Sequence, residues 1–286
     1  MDHLNKYQVD RHPVHYIPNF INETEEITLL RKIESSPAGK WRNLPNRGEI
    51  SKSGTLVPQD LPSFVTDFPN LLEKLRSTGA FSATSQGTVN HIILNEYLPG
   101  QGITPHQDGP AYHPVVATLT LGSHAVMEYY RYRDTSPKVP SDSTTKMDEE
   151  IPGKVIDPVP VLRLLLESRS LVITHGALYT QHLHGISGAH HDIFAPDEDL
   201  DALQAKYMGK EGSAQVVSAW DIANRGILGS QDLRDRFAQL TSSTKIAEQG
   251  AEEDRIICLE RRTRASLTCR VVEKTSKAAG RLLKLR

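Results

Sequence analysis

The sequence has few of the features that mark secreted or membrane-anchored chains. Its 286 residues include only 2 cysteines, Cys258 and Cys269, which are too few for a disulfide framework and are typical of a reducing compartment. The N-terminal segment lacks the apolar stretch of a secretion signal, and no run approaches the roughly 18 apolar residues that cross a bilayer. We therefore expect no membrane association and a location in the cytoplasm, the nucleus or both.

The chain also lacks an excess of charge of either sign. It has 33 Lys and Arg against 35 Asp and Glu, for a formal net charge of −2, which excludes a protein that binds nucleic acid through a large overall basic excess. A local basic groove remains compatible with this balance. Hydrophobic residues make up 38% of the chain and charged residues 24%, as in soluble globular proteins. We expect one domain spanning 1–286 and a monomer.

The first 88 residues have the pattern of helices and loops, and we interpret 1–88 as a helix and lid region. In "NETEEITLLRKI", Asn22 and Glu25 have the spacing of a capping box that begins a helix. Apolar residues then recur at helical spacing, namely Ile27, Leu30 and Ile33. A second helical segment, interrupted by proline, is predicted at 61–75.

From residue 89 onwards the hydrophobic period changes towards two. Short segments rich in β-branched and aromatic residues are bounded by Gly and Pro, which is typical of a sandwich or barrel. The predicted strands are "TVNHIILNEYL", "VVATLTLG", "AVMEYYRYR", "VPVLRLLLES", "SLVITHGA" and "ASLTCRVV". This pattern predicts a β core at 89–187 and 255–275, a flexible loop at 134–158, a partly helical insertion at 188–254 and a basic tail at 276–286.

Two His-x-Asp sequences stand out as possible metal ligands. On a strand, positions i and i+2 point to the same side, so His106 and Asp108 can converge on one ion. Two histidines and one carboxylate form the facial triad that holds Fe(II) and leaves coordination positions open. The second sequence, His190-x-Asp192, opens the acidic insertion, where we expect no strand. His106 and Asp108 are therefore the candidate ligand pair.

The third ligand has to come from a later strand, and several histidines compete for the role. His182 and His184 lie in "YTQHLHGIS", where alternation would place both on one strand face. Gly185 directly follows His184 and allows the backbone to turn away beside a metal, which favours His184. The other candidates are His175, His190 and His191.

The segment "RASLTCR" near the end of the chain predicts an amphipathic strand. One face carries Arg264, Ser266, Thr268 and Arg270, and the other carries Ala265, Leu267, Cys269 and Val271. The two guanidinium groups are roughly 20 Å apart at full extension, so their side chains can lean together around a small dianion. Arginine is suited to bidentate recognition of carboxylates. A dicarboxylate beside Fe(II) points to 2-oxoglutarate.

Three separated motifs together resemble the AlkB family of Fe(II)- and 2-oxoglutarate-dependent dioxygenases. They are "NEYLPG" followed by "HQDG" within 95–109, "HG" at 184–185, and "RASLTCR" at 264–270. Each motif is weak alone, but all occur in the order of the family pattern. The resemblance implies an α+β, mainly β fold: a double-stranded β-helix, or jelly roll, with N-terminal helices packed on one side.

The resemblance also implies roles for individual residues. His106, Asp108 and His184 would ligate Fe(II), while Asn95 and Tyr97 would hydrogen-bond 2-oxoglutarate. Arg264 would pair with the distal carboxylate and Arg270 would support the metal-proximal end. Ser266 and Thr268 are weaker candidates for supporting contacts. With O2 as the third cofactor, the family reaction hydroxylates an N-alkyl carbon and releases succinate, CO2 and formaldehyde.

The substrate expected from the resemblance is alkylated or methylated DNA or RNA. Family members flip a base into the pocket beneath an N-terminal lid, which corresponds here to 40–56, with Trp41 and Arg47 as candidate contacts. Tyr112 is a candidate wall of the pocket. Two alternatives stay open: a protein substrate such as methyl-lysine for the same enzyme class, and a non-catalytic jelly-roll interaction module.

Overall fold

The computed structural model describes residues 2–35, 61–133, 154–207, 213–242 and 255–273, together with the backbone of 42–44 and 47–51. Within these ranges the strands are β1 (Val14–Ile17), β2 (Arg42–Leu44), β3 (Arg47–Ser51), β4 (His91–Tyr97), β5 (Ile103–His106), β6 (Val115–Leu121), β7 (Ala125–Tyr130), β8 (Leu162–Leu166), β9 (Leu171–His175), β10 (Leu183–Ile186), β11 (His191–Ala195), β12 (Ala214–Ser218), β13 (Ile257–Glu260) and β14 (Arg264–Arg270).

The α-helices of the same ranges are α1 (Glu23–Glu34), α2 (Ser63–Thr66), α3 (Leu71–Ser77), α4 (Gly176–Thr180), α5 (Leu200–Tyr207) and α6 (Gln231–Leu240). Short 3-10 helices cover Asp2–Tyr7, Asp197–Asp199, Ala219–Asp221 and Arg225–Ile227. No helix in the described part of the chain has the length and apolar character needed to cross a membrane.

Two antiparallel sheets face each other and form the core. The larger sheet has the order β1-β9-β6-β14-β4-β3-β2 and the smaller has the order β5-β10-β7-β8. A hydrogen bond of 2.7 Å between the hydroxyls of Tyr129 on β7 and Thr174 on β9 joins the two inner faces. This arrangement is a double-stranded β-helix, the jelly roll of an α+β protein, and it confirms the predicted fold class.

Strand β14 lies at the centre of the larger sheet and shows the predicted alternation. Leu267 is fully buried among the side chains of the N-terminal helices, and burying a leucine contributes about 2 kcal/mol. The alternate residues Arg264 and Arg270 point to the opposite face, where they line a cavity between the sheets. A shift of one residue would exchange the two faces, so the buried apolar residues fix the orientation of both arginines.

The N-terminal helices pack on the outer face of the larger sheet, as predicted. Helix α1 begins with the expected capping box: the side chain of Asn22 accepts from the Glu25 amide at 2.9 Å, and the Glu25 carboxylate accepts from the Asn22 amide at 2.8 Å. The predicted apolar stripe is partly wrong, because Ile27 is 42% exposed. Leu29 and Ile33, one turn apart, are the buried positions instead.

A third sheet combines β11 and β12, from the region predicted as an insertion, with β13, from the predicted core segment 255–275. Its order is β12-β11-β13, with β11 parallel to β12 and antiparallel to β13. The expectation of no strand around His190-x-Asp192 was therefore wrong. The acidic residues that follow this segment led to the interpretation as a loop. In the structure Ile193 packs on Leu203 and Phe194 packs on Phe237.

Several sequence-based predictions lie partly or wholly outside the described residues. These are Trp41, the side chain of Arg47, most of the 134–158 loop and the 276–286 tail. The end of the predicted loop is described and is paired with the chain after β7, since the amide of Asp157 donates to the carbonyl of Arg131 at 2.9 Å. The predicted domain boundaries stay predictions.

Candidate metal centre

Two histidine side chains face each other across neighbouring strands of the smaller sheet. His106 ends β5 and His184 lies on β10, and the sheet register pairs these two residues directly. Their ring centroids are 4.4 Å apart. One ligand atom of each of His106, Asp108 and His184 lies within 4.8 Å of the other two. The three residues predicted to ligate a metal therefore meet in space.

The environment of Asp108 suits a cation. Its side chain is 1% exposed, and neither carboxylate oxygen forms a hydrogen bond with any described residue. Nη2 of Arg270 lies 2.5 Å from Oδ1 as an ion pair. A buried carboxylate requires a matching charge, and a carboxylate beside two imidazoles is a donor set for Fe(II). The residues present therefore fit this metal.

Both imidazoles are arranged to offer a lone pair. Nδ1 of His106 lies 2.9 Å from the carbonyl oxygen of Thr104, and because a carbonyl only accepts, Nδ1 carries the proton and Nε2 is the ligand atom. Burial lowers the pKa of His184 to about 4 and outweighs the charge of Asp108, which acts in the opposite direction. His184 is therefore neutral at pH 7, the form that binds metals.

The competing histidines lie elsewhere. His182 precedes β10, so the expectation that it shares a strand face with His184 was wrong, and its Nδ1 lies 3.0 Å from the carbonyl of Ala177. His175 stacks on His15 with ring centroids 5.1 Å apart. Neither belongs to the one cluster of potential ligands that the described residues form.

The second His-x-Asp sequence belongs to a buried ion-pair network. Asp192 is fully buried and accepts from Nε and Nη2 of Arg261, each at 2.7 Å. Nε2 of His124 lies 3.0 Å from the same carboxylate. Burial alone would raise the pKa of Asp192, but the hydrogen bonds from Arg261 and His124 outweigh it and the pKa is lowered. This aspartate of the third sheet therefore stabilises the contact with the segment that leads into β7 of the smaller sheet.

Arg264 is a buried cation without an anionic partner among the described residues. It is 3% exposed, its Nη2 donates to the hydroxyl of Thr120 at 3.0 Å, and its Nε has no hydrogen-bond acceptor there. Its guanidinium carbon lies 5.5 Å from the ring centroid of Tyr97. Burial lowers the pKa of Arg264 to about 10. A cation held this way requires an anion to balance its charge.

One cavity connects this arginine with the histidines. Its lining includes the residues predicted to bind metal and dicarboxylate, with the exception of Asp108, and these are Asn95, Tyr97, His106, His184, Arg264, Ser266, Thr268 and Arg270. Asn95 is 8% exposed and its Oδ1 accepts no hydrogen bond from a described residue. The cavity therefore offers a cation, a polar amide and hydroxyl groups on one side of the metal ligands.

Comparison with known proteins agrees with this geometry. Residues 35–270 match the sequence profile of the 2OG-Fe(II) oxygenase superfamily. The "Probable RNA/DNA demethylase ALKBH6" of Danio rerio is 36% identical over 200 residues, which cover 67% of this chain and 77% of that protein. The chain is an AlkB-family 2OG-Fe(II) oxygenase.

Two further similarities concern more distant proteins. The "tRNA (carboxymethyluridine(34)-5-O)-methyltransferase alkbh8" of Xenopus tropicalis is 28% identical over 196 residues, which cover 64% of this chain and 26% of that protein. The solved structure of OsALKBH1 is 13% identical, with a TM-score of 0.46, over 92% of this chain and all of that chain.

As an AlkB-family oxygenase, this protein is an oxidoreductase that uses Fe(II), 2-oxoglutarate and O2. The alternative of a non-catalytic jelly-roll module is therefore wrong. The complete set of potential metal ligands and the uncompensated Arg264 agree with a working site.

Two tyrosines lie at the edge of the site in this AlkB-family oxygenase. Tyr112 is half-buried, and its ring centroid is 4.8 Å from the guanidinium carbon of Arg270 and 5.1 Å from the ring of His91. Tyr179 on α4 donates its hydroxyl to the carbonyl of Gly109 at 3.2 Å. Burial raises the pKa of Tyr179 to about 12, and the charge of Asp108 contributes.

Sequence analysis missed Tyr179 and three further residues around the cavity. Thr118 and Met127 line it, and the ring of Tyr129 is 6.4 Å from that of His184. The alternation of β6 and β7 carried a signal for these positions, because Thr118 shares a strand face with Thr120, and Met127 with Tyr129. The sequence alone does not show which face of β6 and β7 points into the cavity, so these residues could not be assigned to the site.

Proposed function

We propose that this oxygenase demethylates or dealkylates nucleic acid, with Fe(II) held by His106, Asp108 and His184. The observation that carries the proposal is the convergence of these three side chains within 4.8 Å. The nucleic-acid substrate is supported by the relative described as a probable RNA/DNA demethylase and by a second relative described as a tRNA methyltransferase. When bound, the metal with 2-oxoglutarate and O2 supplies C–H hydroxylation, and a hydroxylated N-methyl group is lost as formaldehyde.

The buried arginine gives 2-oxoglutarate its orientation. Arg264 pairs with the distal carboxylate, because it is the buried cation of this cavity without a carboxylate partner among described residues. Asn95 and Tyr97, which pair with Ser266 and Arg264 in the sheet register, hydrogen-bond the co-substrate. Ser266 and Thr268 give supporting polar contacts from the same face of β14.

Arg270 and the surrounding aromatic residues hold the other end of the site. Its ion pair with Asp108 fixes the carboxylate beside the two histidines, while the Tyr112 ring covers its guanidinium. Tyr129 is 1% exposed and excludes water behind His184. Water exclusion strengthens electrostatic interactions at the site and protects the reaction from side products.

The substrate base enters from the side of Tyr112. This half-buried ring forms one wall, and Trp41 and Arg47 of the predicted lid contribute stacking and phosphate contact. The backbone of 47–51 forms β3, which pairs with β4 next to Asn95. This pairing supports the proposal by placing the strand that begins at Arg47 beside the co-substrate strand.

We also infer that the protein acts as a monomer in the nucleus, the cytoplasm or both. Cys258 and Cys269 are free thiols, which agrees with a reducing compartment. The site is built within one chain, since every residue of the metal cluster and the cavity comes from the same jelly roll.

Formaldehyde release tests the proposal. Protein supplied with Fe(II) and 2-oxoglutarate is incubated with single- and double-stranded DNA and RNA oligonucleotides that carry N-methylated bases, beside peptides that carry methyl-lysine. We expect release from at least one methylated oligonucleotide and none with His106→Ala. Release from methylated peptides alone would show that the substrate is a protein.

A further inference from the structure

The chain continues past the end of β7 as a short two-stranded ribbon. Residues 131–133 pair with 155–157, and we call these six residues the rim ribbon. The amide of Arg133 donates to the carbonyl of Val155 at 2.7 Å, and Tyr132 and Ile156 form the bridge between the two segments. The ribbon therefore follows β7 directly, beyond the end of the smaller sheet.

The ribbon leaves the sheet at the end that holds the metal ligands. Tyr130, the last residue of β7, pairs with Leu183, which directly precedes His184. Strand alternation places Arg131 and Arg133 on the same face as Met127, which lines the cavity, and Tyr129, which faces His184. At about 3.3 Å per residue, the two arginines follow Tyr129 by about 7 and 13 Å along the strand.

Both arginine side chains are exposed and oriented. Arg131 is 64% exposed and Arg133 is 53% exposed. Their Nε atoms lie 3.3 and 4.0 Å from the two oxygens of one carboxylate, Asp157. Because the carboxylate is approached through Nε, the terminal nitrogens of both guanidinium groups have no partner among the described residues and can donate to a ligand.

The ribbon carries an excess of positive charge. Lys154 lies beside it, with its ammonium 5.1 Å from the ring centroid of Tyr132. By the same alternation Lys154 and Tyr132 belong to the opposite face of the ribbon, so among the described residues the arginine face carries two cations and the single carboxylate of Asp157. A local basic surface close to a substrate site is suited to bind single-stranded nucleic acid through its phosphates.

We propose that Arg131 and Arg133 bind backbone phosphates of the nucleic acid whose modified base occupies the site. This inference rests on the proposed function and specifies the surface that holds the substrate outside the pocket. Arginine donates two parallel hydrogen bonds to phosphate oxygens, and Asp157 holds both guanidinium groups in place before the substrate arrives. Exposed ion pairs contribute about 0–1 kcal/mol to folding, so the ribbon arginines are replaceable without loss of the fold.

The test compares two double variants with the same change of charge. Arg131→Gln with Arg133→Gln removes the ribbon cations, whereas the control, Arg31→Gln with Arg76→Gln, removes two exposed arginines from α1 and α3 on the far side of the larger sheet. The probe is a fluorescent single-stranded oligonucleotide carrying an N-methylated base, and binding is followed by anisotropy across a range of salt concentrations.

We expect the ribbon variant to bind the oligonucleotide at least about tenfold more weakly than wild type. The slope of log affinity against log salt is expected to fall by about 1.4, the value for two lost phosphate contacts on a single strand. Turnover of 2-oxoglutarate without substrate should equal that of wild type, because the ribbon does not line the co-substrate cavity. The control variant should change neither binding nor slope.

The results of this test distinguish a failure of the ribbon assignment from a failure of the proposed function. If wild type binds and demethylates the oligonucleotide while the ribbon variant keeps its affinity and salt slope, the ribbon assignment is wrong and the proposed function stands. Equal losses in the ribbon and control variants also contradict the assignment. If wild type binds no nucleic acid but binds methyl-lysine peptides through the ribbon, both proposals fail.

Discussion

Nη2 of Arg270 lies 2.5 Å from Oδ1 of Asp108, so the last strand of the jelly roll directly contacts the loop that carries a proposed iron ligand. Both side chains are almost fully buried. Tyr112 covers the guanidinium from outside. The charge of Asp108 is therefore shared between an arginine and the metal position.

Replacement of Arg270 is expected to destabilise the metal-free protein more than the metal-bound protein. In Arg270→Gln the buried Asp108 loses its cation, which costs about 3 kcal/mol for a buried pair. A divalent metal supplies the missing charge, so the deficit should shrink when Mn(II) is added as a stand-in for Fe(II). Urea unfolding with and without Mn(II) measures this difference. Equal destabilisation in both conditions would show that the ion pair and the metal position are independent.

The buried guanidinium of Arg264 should determine the affinity for 2-oxoglutarate. Loss of one partner of a buried charge pair costs about 2 kcal/mol or more, so Arg264→Gln is expected to weaken 2-oxoglutarate binding by roughly 30-fold. Calorimetry on the Mn(II)-loaded protein measures the affinity. Arg262→Gln is the matched control, since Arg262 is exposed and does not line the cavity of the site. Similar losses in both variants would contradict the assignment.

Close packing beside β5 predicts an effect of a single methyl group. A Cβ at position 102 would collide with the carbonyl oxygen of Ile186 and lie 2.8 Å from the amide of Gly188. Gly102→Ala should therefore separate β5 from β10, lower the free energy of unfolding by about 2 kcal/mol and weaken Mn(II) binding. Gly226→Ala, whose Cβ meets nothing within 4 Å, should change neither quantity. A wild-type Mn(II) affinity in Gly102→Ala would show that metal binding does not depend on this contact.

The Asp192 network predicts a pH-dependent contribution to stability. Because its hydrogen-bonded partners lower its pKa in the folded state, Asp192 stabilises the protein above the ordinary aspartate pKa, and this contribution is lost as the pH falls. Asp192→Asn should be less stable than wild type by about 3 kcal/mol at pH 7. The difference should narrow below about pH 4. Urea unfolding across this range measures it, and a constant difference would contradict the linkage.

Periodicity and spacing predicted the parts of the site that follow from local sequence. The sequence predicted the polar face of β14 because the residues that alternate with it are uniformly apolar. This face carries Arg264, Ser266, Thr268 and Arg270. The spacing of His106 and Asp108 needed only strand geometry. The preference for His184 over His182 agrees with its place on β10, although the predicted shared strand face was wrong.

Features that depend on distant packing were not predictable. The ion-pair role of Asp192 was not predictable, because its partner, Arg261, lies 69 residues away in sequence. Tyr179 had no recognisable motif, since its role comes from the contact of α4 with Gly109. The rim ribbon joins the end of a predicted strand to the end of a predicted loop, and its register appears only in the folded chain.

The most direct measurement of the central claim compares His184→Ala with His182→Ala. These residues are two positions apart, but only His184 belongs to the metal cluster of the described chain. Each protein is supplied with Fe(II), 2-oxoglutarate and a methylated single-stranded oligonucleotide. His182→Ala is predicted to release as much formaldehyde and succinate as wild type, and His184→Ala is predicted to release neither product. Formaldehyde release by His184→Ala at the wild-type rate would contradict the account.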